Sequence, residues 1–452
     1  MRVILRVRRR GFAPPMSTLQ GEAMPASDAL ISSIRAQEIL DSRGTPTVKA
    51  TITLQSGARA SAAVPSGAST GSNEAVELRD GDPKRYFGKG VRKVIAHIEG
   101  EIAEAFKGRD VCNQAAIDAA LIALDGTPNK ARLGANALLA VSMAAARAAA
   151  LVRGEPLHRS LCEKPSNLLP MPMFNVLNGG LHAPGSSLDF QEFMLVPMGA
   201  PSFSEAVRYA AETYHAIKEL LIAQGHSTAV GDEGGFAPKL MGGNQAACEL
   251  MVRGMERAGY RPGEDLAIAL DPASTSFYKN GRYHLSRSGN QVLDSQEMVE
   301  LYQGWLNVFP IVSIEDGHAE DDWAGFAAMT RQLGGQIQIV GDDNFVTNTR
   351  IIQRGIDEGT ANASLIKLNQ IGTVSETIAA VRLCQKVGWG SVMSHRSGET
   401  EDAFLSDFAV AVGAGQMKSG ATARSERLAK YNRLMEIEAE LGDRAEFVNP
   451  YR

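Results

Sequence analysis

From Asp232 to Lys418 the chain repeats one hydropathic unit: a short apolar run closes on one or two ionisable residues, a turn follows, and the next apolar run comes after a stretch with helical spacing. Asp232 and Glu233 in VGDEGG, Asp271 in ALDPA, Glu315 and Asp316 in SIEDG, Asp342 and Asp343 in VGDD, Lys367 in LIKLNQ, His395 and Arg396 in MSHRSG and Lys418 in GQMKSG all hold that place. From Asp342 onward the interval is roughly 25 residues, about one strand, one helix and two short loops. This period predicts a (β/α)8 barrel, whose C-terminal strand ends share one mouth, so residues far apart in sequence face one ligand. The mixture of acids and bases at those ends points to a metal, an anion and a proton to be moved.

The upstream pattern differs. Residues 46–55, PTVKATITLQ, alternate apolar and polar as a half-buried antiparallel strand does, and Ser56 and Gly57 offer a turn before ARASAAV resumes. Helical spacing follows in VRKVIAHIEGEIAEAF and AAIDAALIALD, and the Ala-rich run from Ala135 to Ala150 predicts a tightly packed helix. This part is α+β. The prolines of PSNLLPMP, Pro165 to Pro172, break helix and lead into MFNVLNGG, the first barrel-like strand and turn, so the expected division is 31–164 and 165–452. Residues 1–30 are Arg-rich, carry no acid before Glu22, and have too few apolar residues for a signal core or membrane span. They read as a transit peptide, a disordered basic arm or an over-long start, with Met16 and Met24 as later starts and Pro14, Pro15 and Pro25 opposing helix.

At 452 residues and 44% hydrophobic content, the chain has enough apolar material for a large core plus a smaller one. A net charge of -5 with both signs interleaved gives no basic footprint for nucleic acid. The four cysteines, Cys112, Cys162, Cys248 and Cys384, are widely spaced, which excludes a disulfide frame or a zinc site and reads as buried thiols in a reducing compartment.

Asp271, Glu315 and Asp342 close three successive predicted strands and make a hard oxygen site without His or Cys, for which Mg2+ is the natural ion. Singly, each acid is equally a helix cap or a solvated end. Lys367 sits in an apolar strand, either snorkelling to the rim or acting as a base whose pKa is lowered by burial and by a cation such as Lys418. Ser394, His395, Arg396 and Ser397 are an anion cup or a polar loop. GASTG, Gly67 to Gly71, has no P-loop lysine, so a lid is favoured over a nucleotide loop. Gln191 and Glu192 join Glu233 as a carboxylate pair, one member of which would keep its proton, or as an ordinary surface pair. His182, after the LNGG turn, is structural or catalytic.

Taken in order, DSRGTPTV, PSGASTGSNEA, ELRDGD, NVLNGGLHA, QEFM, VGDEGGFAP, SIEDG, VGDDNFVTN, LIKLNQIGT, SHRSGETED and ARSERLAKYN resemble the enolase family from about Ile31 to about Leu441. The resemblance implies an α/β fold, with an N-terminal α+β cap domain of antiparallel sheet plus helices followed by an enolase-type variant (β/α)8 barrel whose first strands and helices depart from strict alternation. It implies reversible dehydration of 2-phospho-D-glycerate to phosphoenolpyruvate with two Mg2+ per site during turnover. By motif, Asp271, Glu315 and Asp342 correspond to ligands of the first Mg2+, and Ser69 to the lid serine of the second. Lys367 matches the base, Glu233 the acid assisted by Glu192, and Lys418 the lysine at the substrate carboxylate. Arg396 and Ser397 match the phosphate contacts, while Gln191, His182 and His395 line the pocket. Sites of the enolase superfamily are a standard worked example of such chemistry, pairing a Lys or His base with one or two Mg2+. A homodimer or homo-octamer in the cytoplasm is implied, with cell-surface or nucleic-acid partners only as secondary roles; a paralogue acting on a related phosphorylated or phosphonate acid is the nearest rival. Asn73, Pro184 with Gly185, Ser276 and Thr45 depart from the family's usual residues, the first two in lid segments.

Overall fold

The computed structural model describes residues 26–68 and 70–451, so the expectations for residues 1–25 and for Ser69 lie outside the described residues. Ala26–Ala29 forms a 3-10 turn and Leu30 bridges to Asp110, so the fold begins slightly before Ile31. Strands β1 (Ile31–Leu40), β2 (Pro46–Leu54) and β3 (Arg59–Ala63) make an antiparallel sheet in that order. Alternation decides the faces of β2. Val48, Ala50, Ile52 and Leu54 are buried, while Lys49, Thr51 and Thr53 are only partly covered. The β2–β3 turn needs Gly57, whose φ of 84° strains other residues.

A helical run from Arg92 to Phe106, with a π turn at Ile98–Ile102, lies against β1. Helix α1 (Gln114–Asp125) lies against α2 (Ala135–Arg153), and α2 in turn covers β2 and β3. Alanines let several elements approach α2 at once, which is why nearly all of its residues are buried. It is long and apolar enough to cross a membrane, yet 83% of its apolar window is buried inside the fold. That is the signature of a core helix.

The second layer is a closed eight-stranded barrel of β4 (Met171–Asn178), β5 (Glu192–Val196), β6 (Ala267–Asp271), β7 (Ile311–Glu315), β8 (Gln338–Gly341), β9 (Ala363–Ile366), β10 (Gly390–Ser394) and β11 (Gly415–Lys418), in chain order around the ring. The pairs β4–β5 and β5–β6 are antiparallel and the rest parallel. Two helices, α3 (Phe203–Ala223) and α4 (Gly243–Arg257), both follow β5, so strict strand–helix alternation fails at the start, as the family resemblance implies. Helix α5 (Val374–Lys386) follows β9, and α6 (Ser425–Leu441) follows β11. The barrel interior is filled from below by Met171, Met173, Met194, Val196, Ala269, Val340, Leu365 and Val392. Chemistry is thereby confined to the mouth.

Sheet and barrel are joined by ion pairing. Arg147 of α2 grips Asp402, after β10, through two bonds of 2.6 Å, and Asp402 also accepts from Ala63 N at the end of β3. Burial works to raise the Asp402 pKa, but Arg147 and the backbone donors hold it below its ordinary value. Because the folded value is depressed, this stabilisation is present above the unfolded value near about 3.9 and is lost as pH falls through the folded one. We expect Arg147→Met to cost roughly 2–3 kcal/mol in urea melts at pH 7, somewhat below a fully buried pair because Arg147 is partly exposed. The penalty should shrink below about pH 4. An unchanged penalty at low pH would show that packing, not charge, is the cause.

Candidate active site

Strand direction brings the site together. Asp271, Glu315 and Lys418 are the last residues of β6, β7 and β11, while Asp342, Lys367 and His395 immediately follow β8, β9 and β10. Glu192 is the first residue of its strand. Because β5 runs antiparallel to both neighbours, its start opens at the same mouth, where Glu192 pairs with Asn178 and Asp271. VGDEGG is not a strand end, contrary to expectation. Glu233 sits in the connection between α3 and α4, whose Phe236 stacks on Tyr214 at 4.3 Å and exchanges backbone bonds of 2.9 and 2.8 Å with Val176 and Asn178 of β4. The loop, anchored by an aromatic ring, delivers its acid to the mouth as a strand would.

One cavity is lined by His182, Gln191, Glu192, Glu233, Asp271, Asp316, Asp342, Asp343, Lys367, Ser394, His395, Arg396, Ser397 and Lys418. Lys418 Nζ donates to Glu315 at 2.8 Å, Asp271 at 3.1 Å and Glu192 at 3.2 Å. Lys367 Nζ pairs with Asp342 at 2.5 Å, and Gln370 donates to the other oxygen of Asp342 at 2.8 Å. The expected ligands Asp271, Glu315 and Asp342 are therefore shared between two ammonium groups. The tightest convergences of ligand-type atoms, each within 4.8 Å, are instead His182, Glu192 and Glu233, and Asp316, Asp342 and Asp343. On the other flank, Glu233 accepts from Asn175 at 2.9 Å, with His395 Nε2 at 3.3 Å and His182 Nδ1 at 3.6 Å.

Burial and mutual repulsion split the acids. Glu192 is pushed well above the carboxylate range by burial and then by facing Glu233, with Lys418 opposing. Burial also works to raise Glu233, but His395 and His182 hold it well below. The two carboxyls are thus brought together with opposite tendencies, Glu192 upward and Glu233 downward. Burial raises Glu315 and Asp316 as well, each with Asp neighbours adding to it, and Asp343 reaches about 8. For Lys367 the sequence expectation of a lowered pKa fails. Burial and the cations Arg396 and Lys418 act downward, but Asp342 outweighs them and holds the ammonium above its ordinary value. His395 is pushed down to about 4, chiefly by burial.

Ser394, His395, Arg396 and Ser397 all line the cavity, and Arg396 has an outer brace. Arg396 donates to both oxygens of Glu74 at 3.0 and 3.1 Å and to Asn369 at 3.1 Å. Ser397 Oγ accepts from Ala68 N at 2.8 Å and from Arg43 at 3.3 Å, fastening the lid segment beside the cup. Gly67 explains the small residues of that segment: an added Cβ would lie 2.0 Å from Arg396 Nη2, and Arg396 is too buried and too well held to yield. Asn73 and Ser276 are exposed, and Pro184 with Gly185 borders the loop carrying Asp232, so none of these departures removes a group from the cavity. Sequence reading passed over Asn175, Glu74, Gln370 and Arg427. Asn175 and Gln370 stand in otherwise apolar or helical stretches, the one available signal; Glu74 and Arg427 had none, as their roles depend on long-range packing.

The sequence model described as Enolase, N-terminal domain matches residues 31–161, and that described as Enolase, C-terminal TIM barrel domain matches residues 166–450. The chain belongs to the enolase family. It is 60% identical over 419 residues to Enolase 1 of Methylococcus capsulatus, covering 93% of this chain and 99% of that protein. In enolase-family terms the cavity is a barrel-mouth acid cluster, and its donors suit a hard cation. Glu192, Glu233, Asp271, Asp316, Asp342 and Asp343 outnumber Lys367, Arg396 and Lys418, and Glu192 Oε2 and Asp343 Oδ1 are buried without a partner.

Buried like charges destabilise the metal-free fold, so Glu315→Gln should raise its melting temperature by about 2–4 °C. The same variant should lose most of the stabilisation that saturating MgCl2 gives the parent, about 2.7 kcal/mol at a hundredfold excess over Kd. Equal magnesium shifts in parent and variant melts would remove Glu315 from the ligand set.

Proposed function

We propose that the cavity dehydrates 2-phospho-D-glycerate reversibly to phosphoenolpyruvate, as a hydro-lyase of glycolysis and gluconeogenesis. The observation that carries this is placement: Lys367 follows β9 and Glu192 opens β5, four strands apart in an eight-stranded ring and so on opposite sides of the mouth. A base on one side and an acid pair on the other suit removal of a proton from one carbon and loss of hydroxide from the next. Lys367 takes the proton next to the carboxylate. The hydroxide leaves as water with a proton from the Glu192–Glu233 pair, which titrates as a unit, Glu233 being the terminal donor.

Lys418 faces the substrate carboxylate, Arg396 and Ser397 hold the phosphate, and Gln191, His182 and His395 complete the walls. Asp271, Glu315 and Asp342 would hold a first Mg2+, with Ser69 of the lid serving a second. Bound Mg2+ supplies positive charge against the enolate-type dianion. Asp342 is thus common to the residues that would hold the ion and to the pairing that keeps the Lys367 ammonium above its ordinary value. We take residues 31–164 as the cap and 165–452 as the barrel, and the working form as a cytoplasmic homodimer or homo-octamer, which sedimentation of the purified protein distinguishes.

Phosphoenolpyruvate formation followed by absorbance should require Mg2+ and cease in EDTA; metal-independent turnover would overturn the reading. Lys367→Ala should abolish exchange of the α proton with solvent, a loss of at least about 10^3-fold, while substrate still binds measurably by calorimetry. Retained exchange would reassign the base.

A further inference from the structure

Arg427, at the start of α6, is the largest fully buried side chain in the described fold. Its guanidinium enters the back of the cavity wall. Nη1 donates to Arg396 O at 2.5 Å and contacts His395 Nδ1 at 2.7 Å; Nη2 donates to Ser397 O at 2.6 Å and Asp232 O at 3.0 Å. These acceptors belong to the two loops that carry the anion cup and Glu233. A guanidinium has donors only. A 2.7 Å approach to His395 Nδ1 therefore requires a lone pair there, and the ring proton of neutral His395 must sit on Nε2. That nitrogen lies 3.3 Å from Glu233 Oε2, close enough for attraction although not aligned as a formed hydrogen bond.

We propose that Arg427 is a positioning residue: it fixes His395 as the neutral Nε2–H tautomer turned toward Glu233 and locks the Glu233 loop to the Arg396–Ser397 loop. It touches no reacting atom. Its planar fork matters because four acceptors in fixed directions cannot be served by the compact ammonium of a lysine. Two of the four contacts of Arg427 end on His395 and Asp232 beside Glu233, and none reaches Lys367 or Asp342 among the described residues, so once substrate is saturating its loss falls more heavily on the acid side of the cavity than on the base side. A residue that merely supported the fold would weaken both alike.

The inference rests on the dehydratase reading for its kinetic arm, while its spectroscopic arm does not. Nitrogen-15 NMR of histidine-labelled full-length protein near neutral pH should show His395 with Nδ1 unprotonated and Nε2 protonated, assigned by loss of the signal in His395→Gln. An Nδ1–H tautomer or an imidazolium overturns the proposal. In Arg427→Gln at saturating 2-phospho-D-glycerate and Mg2+, water elimination should fall about tenfold or more relative to α-proton exchange. Arg427→Lys should recover only part of the loss. Equal falls in exchange and elimination, or full recovery by lysine, would refute positioning. Should the glutamine variant fail to fold, the NMR result on the parent protein decides alone. A parent without dehydration but with the expected tautomer would sink the function and spare the assignment.

Discussion

The mouth of the barrel concentrates more buried negative charge than its own cations neutralise, and the surrounding architecture is arranged around that imbalance. Lys418 spans three carboxylates from three different strands, and Lys367 takes a fourth. The charge these two ammonium groups leave uncompensated appears as raised pKa values on Glu192, Glu315 and Asp316 and as carboxylate oxygens without partners. Isolated buried ions are costly unless paired. Such a site is stable only because a packed barrel floor and an outer helical ring supply cohesion elsewhere. The same unmet charge makes the mouth chemically suited to a hard divalent cation.

The reversed strand β5 is what brings Glu192 to the mouth. Parallel strands present only their ends at the mouth; an antiparallel one presents its beginning, and with it Glu192 beside Asp271. The reversal also leaves a long connection before β6, and the segment between α3 and α4 is free to fold back over the mouth and bring Glu233 to Glu192. One topological exception thus supplies both members of the carboxylate pair. The histidines then break their symmetry, since His395 and His182 face Glu233 and stabilise its ionised form.

Much of this was legible in the amino-acid order. The apolar runs ending in Asp271, Glu315, Asp342, Lys367, His395 and Lys418 located the mouth because strand ends are local events: periodicity and a turn suffice. The β2 alternation and the Ala-rich α2 were equally plain. Glu233 was found but misplaced, since a loop anchored by Phe236 on Tyr214 looks in one dimension like a short strand. The pKa of Lys367 was misjudged because its nearest counter-ion, Asp342, comes from the neighbouring strand, and side-chain reach across a barrel has no sequence period. Arg427 and Glu74 were invisible as site residues for the same reason: each acts on groups distant in the chain or in the other layer.

Helix α2 carries a consequence for how the chain is made. One of its sides meets β2 and β3, synthesised before it, while another meets Leu368–Ile371 and α5, synthesised long after. A nascent cap leaving the ribosome therefore displays a greasy alanine-rich flank with nothing yet available to shield it, through most of translation of the barrel. That flank is covered only by Leu368–Ile371 and α5, so the cap and the later half of the barrel close on each other as one packed unit.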